Sequence, residues 1–243
     1  MSDPEDSRAE PRSTASIGEA VASRARTDEL IVGWWTLLPS IGVVAGLLAL
    51  VSVLLFVPGT GGWALGYVLM YTAGFCFMAV LNFKLLRRLR GHFEREAMLR
   101  QALIERARKN RAPTKGLEDL DDVAKSHERL PSALFSTMSV LPLVGFPFEF
   151  YYLYHLTRAP PLHEDDYVAF MREHASVSQS GGRASIPAEP VIRPRSYAAW
   201  ALGALLLFPL LALWYRFLIE ETNAHFRAQW AAEDELLSAE GSR

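Results

Sequence analysis

Four long stretches of this chain carry no charge, or almost none, and they constrain the fold more than anything else in it. The first runs from Ile31 to Val57 and the second from Gly62 to Phe83, neither with a charged side chain. The third, Pro131 to Leu156, holds only Glu149 and His155, and the fourth, Tyr197 to Tyr215, is uncharged until Arg216. A helix rises ~1.5 Å per residue, so about 20 residues cross a ~30 Å hydrocarbon layer. Backbone groups in lipid need partners within their own segment, which makes such stretches helical. A soluble helix of this length would show polar residues every third or fourth position. The expectation is therefore an all-α integral membrane protein with four transmembrane helices.

Pro58-Gly59-Thr60-Gly61-Gly62 reads as a tight turn, so the first two stretches pair as an antiparallel hairpin. Trp34, Trp35, Trp63, Tyr197, Trp200 and Trp214 lie near stretch ends, where amphipathic rings prefer the headgroup zone. The second stretch is followed by Lys84, Arg87, Arg88, Arg90, Arg95 and Arg100. The positive-inside rule makes that segment cytoplasmic. Four crossings would put both termini in the cytoplasm of a cell-membrane protein and residues 158–196 outside. Pro142, Pro147 and Glu149 interrupt the third stretch, and a re-entrant path there would return 158–196 to the cytoplasm.

The halves of the chain echo each other. Leu38-Pro39-Ser40-Ile41-Gly42 pairs with Leu141-Pro142-Leu143-Val144-Gly145, Trp63-Ala64-Leu65-Gly66 with Trp200-Ala201-Leu202-Gly203, and His92-Phe93 with His225-Phe226, in the same order. This suggests two tandem hairpins, each extended by a cytoplasmic helix, related by an axis along the membrane normal. The expected divisions are a disordered N-terminal tail over 1–28, a first hairpin with its amphipathic helix over 29–112, and a charged connector over 113–130. A second hairpin follows over 131–243, with an insertion at 159–196 that includes a short helix from Glu164 to Ala175. The tail is polar and net acidic, with too little apolar surface to offset ordering, and it lacks the pattern of a secretory leader.

Beyond the second stretch, Leu85, Leu89, Phe93 and Ala97 recur at helical spacing and form a partner-helix face. That stripe suits a helix of the other half, a second copy of the chain, another membrane protein or the membrane surface.

Four residues stand out as candidate functional groups: Glu149, His155, His92 and His225. An ionisable side chain within a span is a candidate by default, so Glu149 could take a proton or a cation, with His155 nearby. Six positions apart, however, these two fall on different helix faces. A paired glutamate that holds spans together is the plainer role. His92 and His225 occupy matching positions and two such imidazoles could share a metal. Glu221, four residues before His225, suits only a helix-surface pair. His163-Glu164-Asp165-Asp166 offers nitrogen and oxygen ligands, yet acidic residues opening a helix are ordinary dipole partners. Ser126-His127-Glu128 imitates triad residue types without the geometry. No phosphate loop, zinc-protease motif, paired-cysteine motif or nucleophile elbow occurs. No catalytic, metal or cofactor set is therefore assigned.

The segments from Leu141 to Gly145 and from Phe150 to Arg158, together with Arg90-Gly91-His92-Phe93-Glu94-Arg95 and Asn223-Ala224-His225-Phe226-Arg227, carry a resemblance. They resemble small uncharacterised multi-pass membrane proteins of prokaryotes, especially haloarchaea. That resemblance implies no activity and no catalytic residue. A net charge of −2 gives no basic excess to favour nucleic acid. The expected function is a non-enzymatic scaffold, assembly or regulatory protein acting through its cytoplasmic helices. A small-solute or ion pathway through Glu149 is the alternative, and a membrane-bound enzyme the second.

Overall fold

The computed structural model describes residues 16–57, 59–133, 138, 140–141, 145–178, 191–206 and 209–241. Among them every regular element is helical. Two short helices open the chain, α1 (Ile17–Ala22) and α2 (Arg24–Thr27). A 3-10 turn (Gly33–Leu37) leads into α3 (Leu38–Phe56), then α4 (Thr60–Lys109), α5 (Lys115–His127), α6 (Gly145–Val177), α7 (Tyr197–Leu206) and α8 (Pro209–Gly241).

The N-terminal expectation needs correcting. Residues 1–15 lie outside the described residues, but 16–28 are folded rather than a loose tail. Ser16 and Glu19 cap α1 reciprocally: the Glu19 amide donates to Ser16 Oγ at 3.1 Å, and the Ser16 amide donates to Glu19 Oε2 at 2.7 Å. Ile17, Ala20 and Val21 fall on one side and are buried. A stripe of three small apolar residues is too short to register in composition, yet it suffices once a neighbouring helix supplies the other wall.

α3 and α4 form the expected hairpin. Gly59 turns the chain at φ 92°, a conformation open to glycine at little cost. The two helices approach closely at small residues. A Cβ on Gly42 would lie 2.5 Å from the Gly74 carbonyl oxygen, and one on Gly46 would lie 2.7 Å from that of Met70. Their outer surfaces stay apolar and exposed, as at Leu48, Leu55, Phe56 and Trp63. α4 is the one described helix long and apolar enough to cross a membrane, and Ser40–Phe56 and α7 are shorter apolar helices.

α4, α6 and α8 run parallel and nearly in register. Phe75 lies by Phe146, Asn82 by Glu149 and Tyr215, and His92 by His163 and His225. This alters the expected path of the third stretch. The guanidinium of Arg90 donates to the carbonyls of Leu130 and Pro131, at 3.2 and 3.0 Å. His163 then touches Glu128. Residues 131 and 163 therefore both lie toward the polar end of α4. Hydropathy measures how long an apolar stretch is, not where its two ends lie. The helix expected at 164–175 is the far half of α6, which continues through Pro160 and Pro161.

The fourth stretch also folds back on itself. α7 spans ten residues and α8 begins at Pro209, so Tyr197 and Trp200 stack beside Trp214, at 5.7 and 6.1 Å between ring centres. Two apolar cores result. One, nearer the apolar end, gathers Leu86, Leu89, Phe93, Tyr152 and Trp214. The other, at the polar end, gathers Ile17, Leu99, Leu103, Leu117 and Phe170. A buried layer of charged and imidazole side chains separates them.

Candidate metal centre

The layer is built by helical spacing. On α4, His92 and Glu96 stand one turn apart and point inward together, with Arg95 and Arg100 flanking them. His163 and Glu164 come from α6, and His225, Gln229 and Glu233 from α8. Asp28 caps the end of α2, and Glu128 caps the end of α5. His92, His163 and His225 are at most 4% exposed.

The three imidazoles pack edge to face. Their ring centres lie 5.1, 5.4 and 5.7 Å apart, with planes at 72–77°. His92 Nε2 is 3.2 Å from His163 Nε2. Glu96 Oε2 lies 2.9 Å from His163 Nε2 and 3.8 Å from His92 Nε2. Behind each ring stands a carboxylate. Asp28 is 3.1 Å from His92 Nδ1, Glu128 is 2.9 Å from His163 Nδ1, and Glu164 is 3.4 Å from His225 Nδ1. Among the described residues, His225 Nε2 is buried without a hydrogen-bond partner, and so is His92 Nδ1, whose 3.1 Å approach to Asp28 is a charge contact rather than an aligned hydrogen bond. One ligand nitrogen from each of the three rings falls within 4.8 Å of the others. Tetrahedral bonds of about 2.0–2.1 Å put ligand atoms about 3.3 Å apart. The distances among His92, His163 and Glu96 bracket that value.

Comparison with known proteins adds nothing to this geometry. The chain matches no family model, no curated protein and no solved structure.

The electrostatics favour a cation. Among the described residues, Asp28, Glu96, Asp121, Glu128, Glu164 and Glu233 face three permanent cations, Arg95, Arg100 and the half-exposed Lys125, so carboxylates outnumber them. Burial holds the His92 imidazole down at about 3, against the pull of Asp28, so it is neutral. Burial opposes charge on His163 too, but Glu96 and Glu128 on its two nitrogens push it up to about 9. Glu96 is held well below the usual carboxylate range: burial opposes this, and His163 and Arg100 outweigh it. The Gln229 amide fixes Glu96 from the other side at 2.5 Å. Asp28 is fixed by Arg95 and by the Trp230 indole, at 2.9 Å each.

Of the residues singled out in the sequence, His92 and His225 meet here. Glu221 does not pair with His225; it pairs with Arg195, and His225 faces Glu164 instead. Glu149 lies in a separate layer, where it accepts from Asn82 Nδ2 at 2.8 Å and from the Tyr215 hydroxyl. His155 packs against Tyr151 and Tyr154, away from Glu149. Leu85, Leu89 and Phe93 are buried within the chain's own core, and Ala97 is half-buried. Sequence reasoning weighed His163 and Glu164 as ligands and Glu128 as part of a triad imitation but set them aside, and it did not single out Asp28 or Glu96 as site residues. One signal was within reach, since Glu96 follows His92 by one helical turn. The others come from distant parts of the chain and share no spacing.

Proposed function

We propose that this chain is a membrane-anchored metal-binding protein, in which one divalent transition-metal ion, zinc foremost, clamps α4, α6 and α8. His92, His163, His225 and Glu96 would be the ligands. The observation that carries this reading is the carboxylate behind each imidazole. Metal-bound histidines characteristically give their other ring N–H to such a group, which fixes tautomer and ring angle. Four protein donors in a dry layer make a closed site, which suits a structural ion rather than one that activates water. The function is then non-enzymatic. The ion stiffens a polar helical head that is available to a partner.

The bilayer anchor is the α3–α4 hairpin. Its 19-residue α3 is about 28 Å long at ~1.5 Å per residue, close to the hydrocarbon thickness. The apolar half of α4, 60–83, pairs with it. On this reading α7 and the start of α8 enter only part of the layer. The arginines after Phe83 favour a head on the cytoplasmic side of the cell membrane by the positive-inside rule. The Asn82–Glu149–Tyr215 contact supports a locking role for Glu149 over a pathway role.

Elemental analysis of protein extracted in mild detergent tests the reading. About one equivalent of metal is expected, falling several-fold in His163→Ala with His225→Ala. Absence of bound metal, with no rise in melting temperature on zinc addition, would sink it. A second reading has one supporting observation. Both nitrogens of His163 reach carboxylates, so without metal the ring is an imidazolium in a buried ion network. The same zinc titration separates the two.

A further inference from the structure

A cavity of about 570 Å³ opens where the apolar half of α4 gives way to its charged half. Trp35, Val80 and Phe83 form its apolar wall, and Lys84, Arg87 and Arg88 its basic one. Arg26, from the folded N-terminal arm, and Arg90 add two more cations, against Glu29 and Glu94. Lys84 is bonded to Glu29 and lies over the Trp35 ring at 4.9 Å. Arg26 and Arg87 are exposed and have no carboxylate partner among the described residues.

Arg88 is the telling residue. It is 4% exposed, and its only polar contacts are the Asn223 side-chain oxygen at 2.7 Å and the Glu29 carbonyl at 3.4 Å. Its Nε is buried without a partner. Burial pulls its pKa down to about 9, and Glu29 and Asp28 oppose this only in part. A buried guanidinium so weakly compensated leaves room for an anion, and its planar fork suits a phosphate.

We propose that this cavity binds the phosphate of an anionic phospholipid headgroup, with Arg26, Arg87 and Arg88 as its recognition residues. Acyl chains would lie along Val80 and Phe83, and Trp35 would sit at the glycerol level. The lipid source is favoured over free phosphate because one wall is apolar and continuous with the lipid-facing half of α4. The inference rests on the bilayer placement proposed above and not on the metal.

The test uses the full chain reconstituted into vesicles of phosphatidylcholine with phosphatidylglycerol. Flotation and the lipid retained after detergent extraction, read by native mass spectrometry, are scored separately. Wild type should float and retain phosphatidylglycerol in preference. Arg26→Gln with Arg87→Gln should float equally but retain roughly thirtyfold less, since two basic residues near an anionic surface together contribute about 2 kcal/mol. A wild type that floats but holds phosphatidylcholine equally well overturns the lipid site alone. A wild type that fails to float overturns the bilayer placement and this site with it. Displacement of the lipid by low concentrations of inorganic phosphate would identify a soluble anion as the occupant and overturn the lipid assignment.

Discussion

His163 Nδ1 lies 2.9 Å from a carboxylate oxygen of Glu128, although 35 residues separate them. With Arg90 on the carbonyls of Leu130 and Pro131, this contact brings residues 128–131 and 163 to one end of α4. It predicts the outcome of a labelling experiment. With Cys76 replaced by serine, single cysteines at the exposed positions Val123 and Arg172 should react with a membrane-impermeant maleimide from the same side of sealed vesicles. Reaction from opposite sides would restore a full third crossing and dismantle the parallel arrangement of α4 and α6.

The same pair bears on the metal. Glu128 would orient His163 and not bind the ion. Second-shell carboxylates of this kind typically contribute 10–100-fold in affinity. Glu128→Gln should therefore weaken zinc binding by roughly that factor in competition with a chromophoric chelator, with stoichiometry still near one. Glu96→Gln, at a ligand, should lose more. Equal losses in the two variants would indicate a general ion network and not a coordination sphere.

Why one part of this architecture was legible in the sequence and another was not follows from the range of the forces involved. The α3–α4 hairpin rests on local facts: uncharged length, a Gly-rich turn, and basic residues beyond Phe83. Helical content is likewise local. His92 and His225, 133 residues apart, were singled out by the similar residues around them, and they meet across α4 and α8. The direction of α6 is set by a long-range capture, Arg90 on the carbonyls of Leu130 and Pro131, and no local pattern announces it. By sequence His163 falls just before a separate short helix, Glu164 to Ala175, whereas α6 runs unbroken from Gly145 to Val177. Pro160 and Pro161 each forfeit a backbone hydrogen bond, and the buried surface on both sides of them holds the helix together across the pair. Asp28 was assigned to a tail whose order depends on α4 and α8.

The Asn82–Glu149–Tyr215 contact joins α4, α6 and α8 in the apolar half. Glu149→Gln keeps a group that can bond both neighbours, and its melting temperature in detergent should stay close to wild type. Glu149→Leu removes the acceptor of the Asn82 amide N–H and leaves the Tyr215 hydroxyl with Asn82 Oδ1 as its remaining partner. Each buried polar group left unmet costs about 1–3 kcal/mol, so a clear fall in melting temperature is expected. A pathway role demands the opposite ranking in a flux assay, with Glu149→Gln already inactive.

The α3–α4 contact makes a steric prediction. Gly42→Ala places a methyl 2.5 Å from a backbone oxygen that cannot swing aside, so the helices must separate. Overpacking of this kind costs about 1–3 kcal/mol. The variant should still enter the membrane fraction, since no charge is added, but melt earlier than wild type. An unchanged melting temperature would mean that the helices do not pack face to face at Gly42 and Gly74.

Glu233 offers a pH test away from the ligands. It is 1% exposed, and burial, helped by Glu96 and Asp28, pushes its carboxyl up to about 7 even though Arg95 lies 2.5 Å away and pulls the other way. In the unfolded chain the group ionises near 4.5. An acid with a raised folded pKa binds its proton more tightly in the native state. Folding therefore loses stability as pH rises from about 4.5 to about 7, and beyond that the penalty is constant. A shift of this size corresponds to at most ~3 kcal/mol at 1.36 kcal/mol per pH unit. Glu233→Gln imitates the protonated form and has no such window. The melting temperature of the variant minus that of wild type should grow with pH across this interval and level off above it. A difference that stays flat, or that reverses, would mean that Arg95 holds Glu233 ionised at neutral pH and that the acid excess of this layer is larger still.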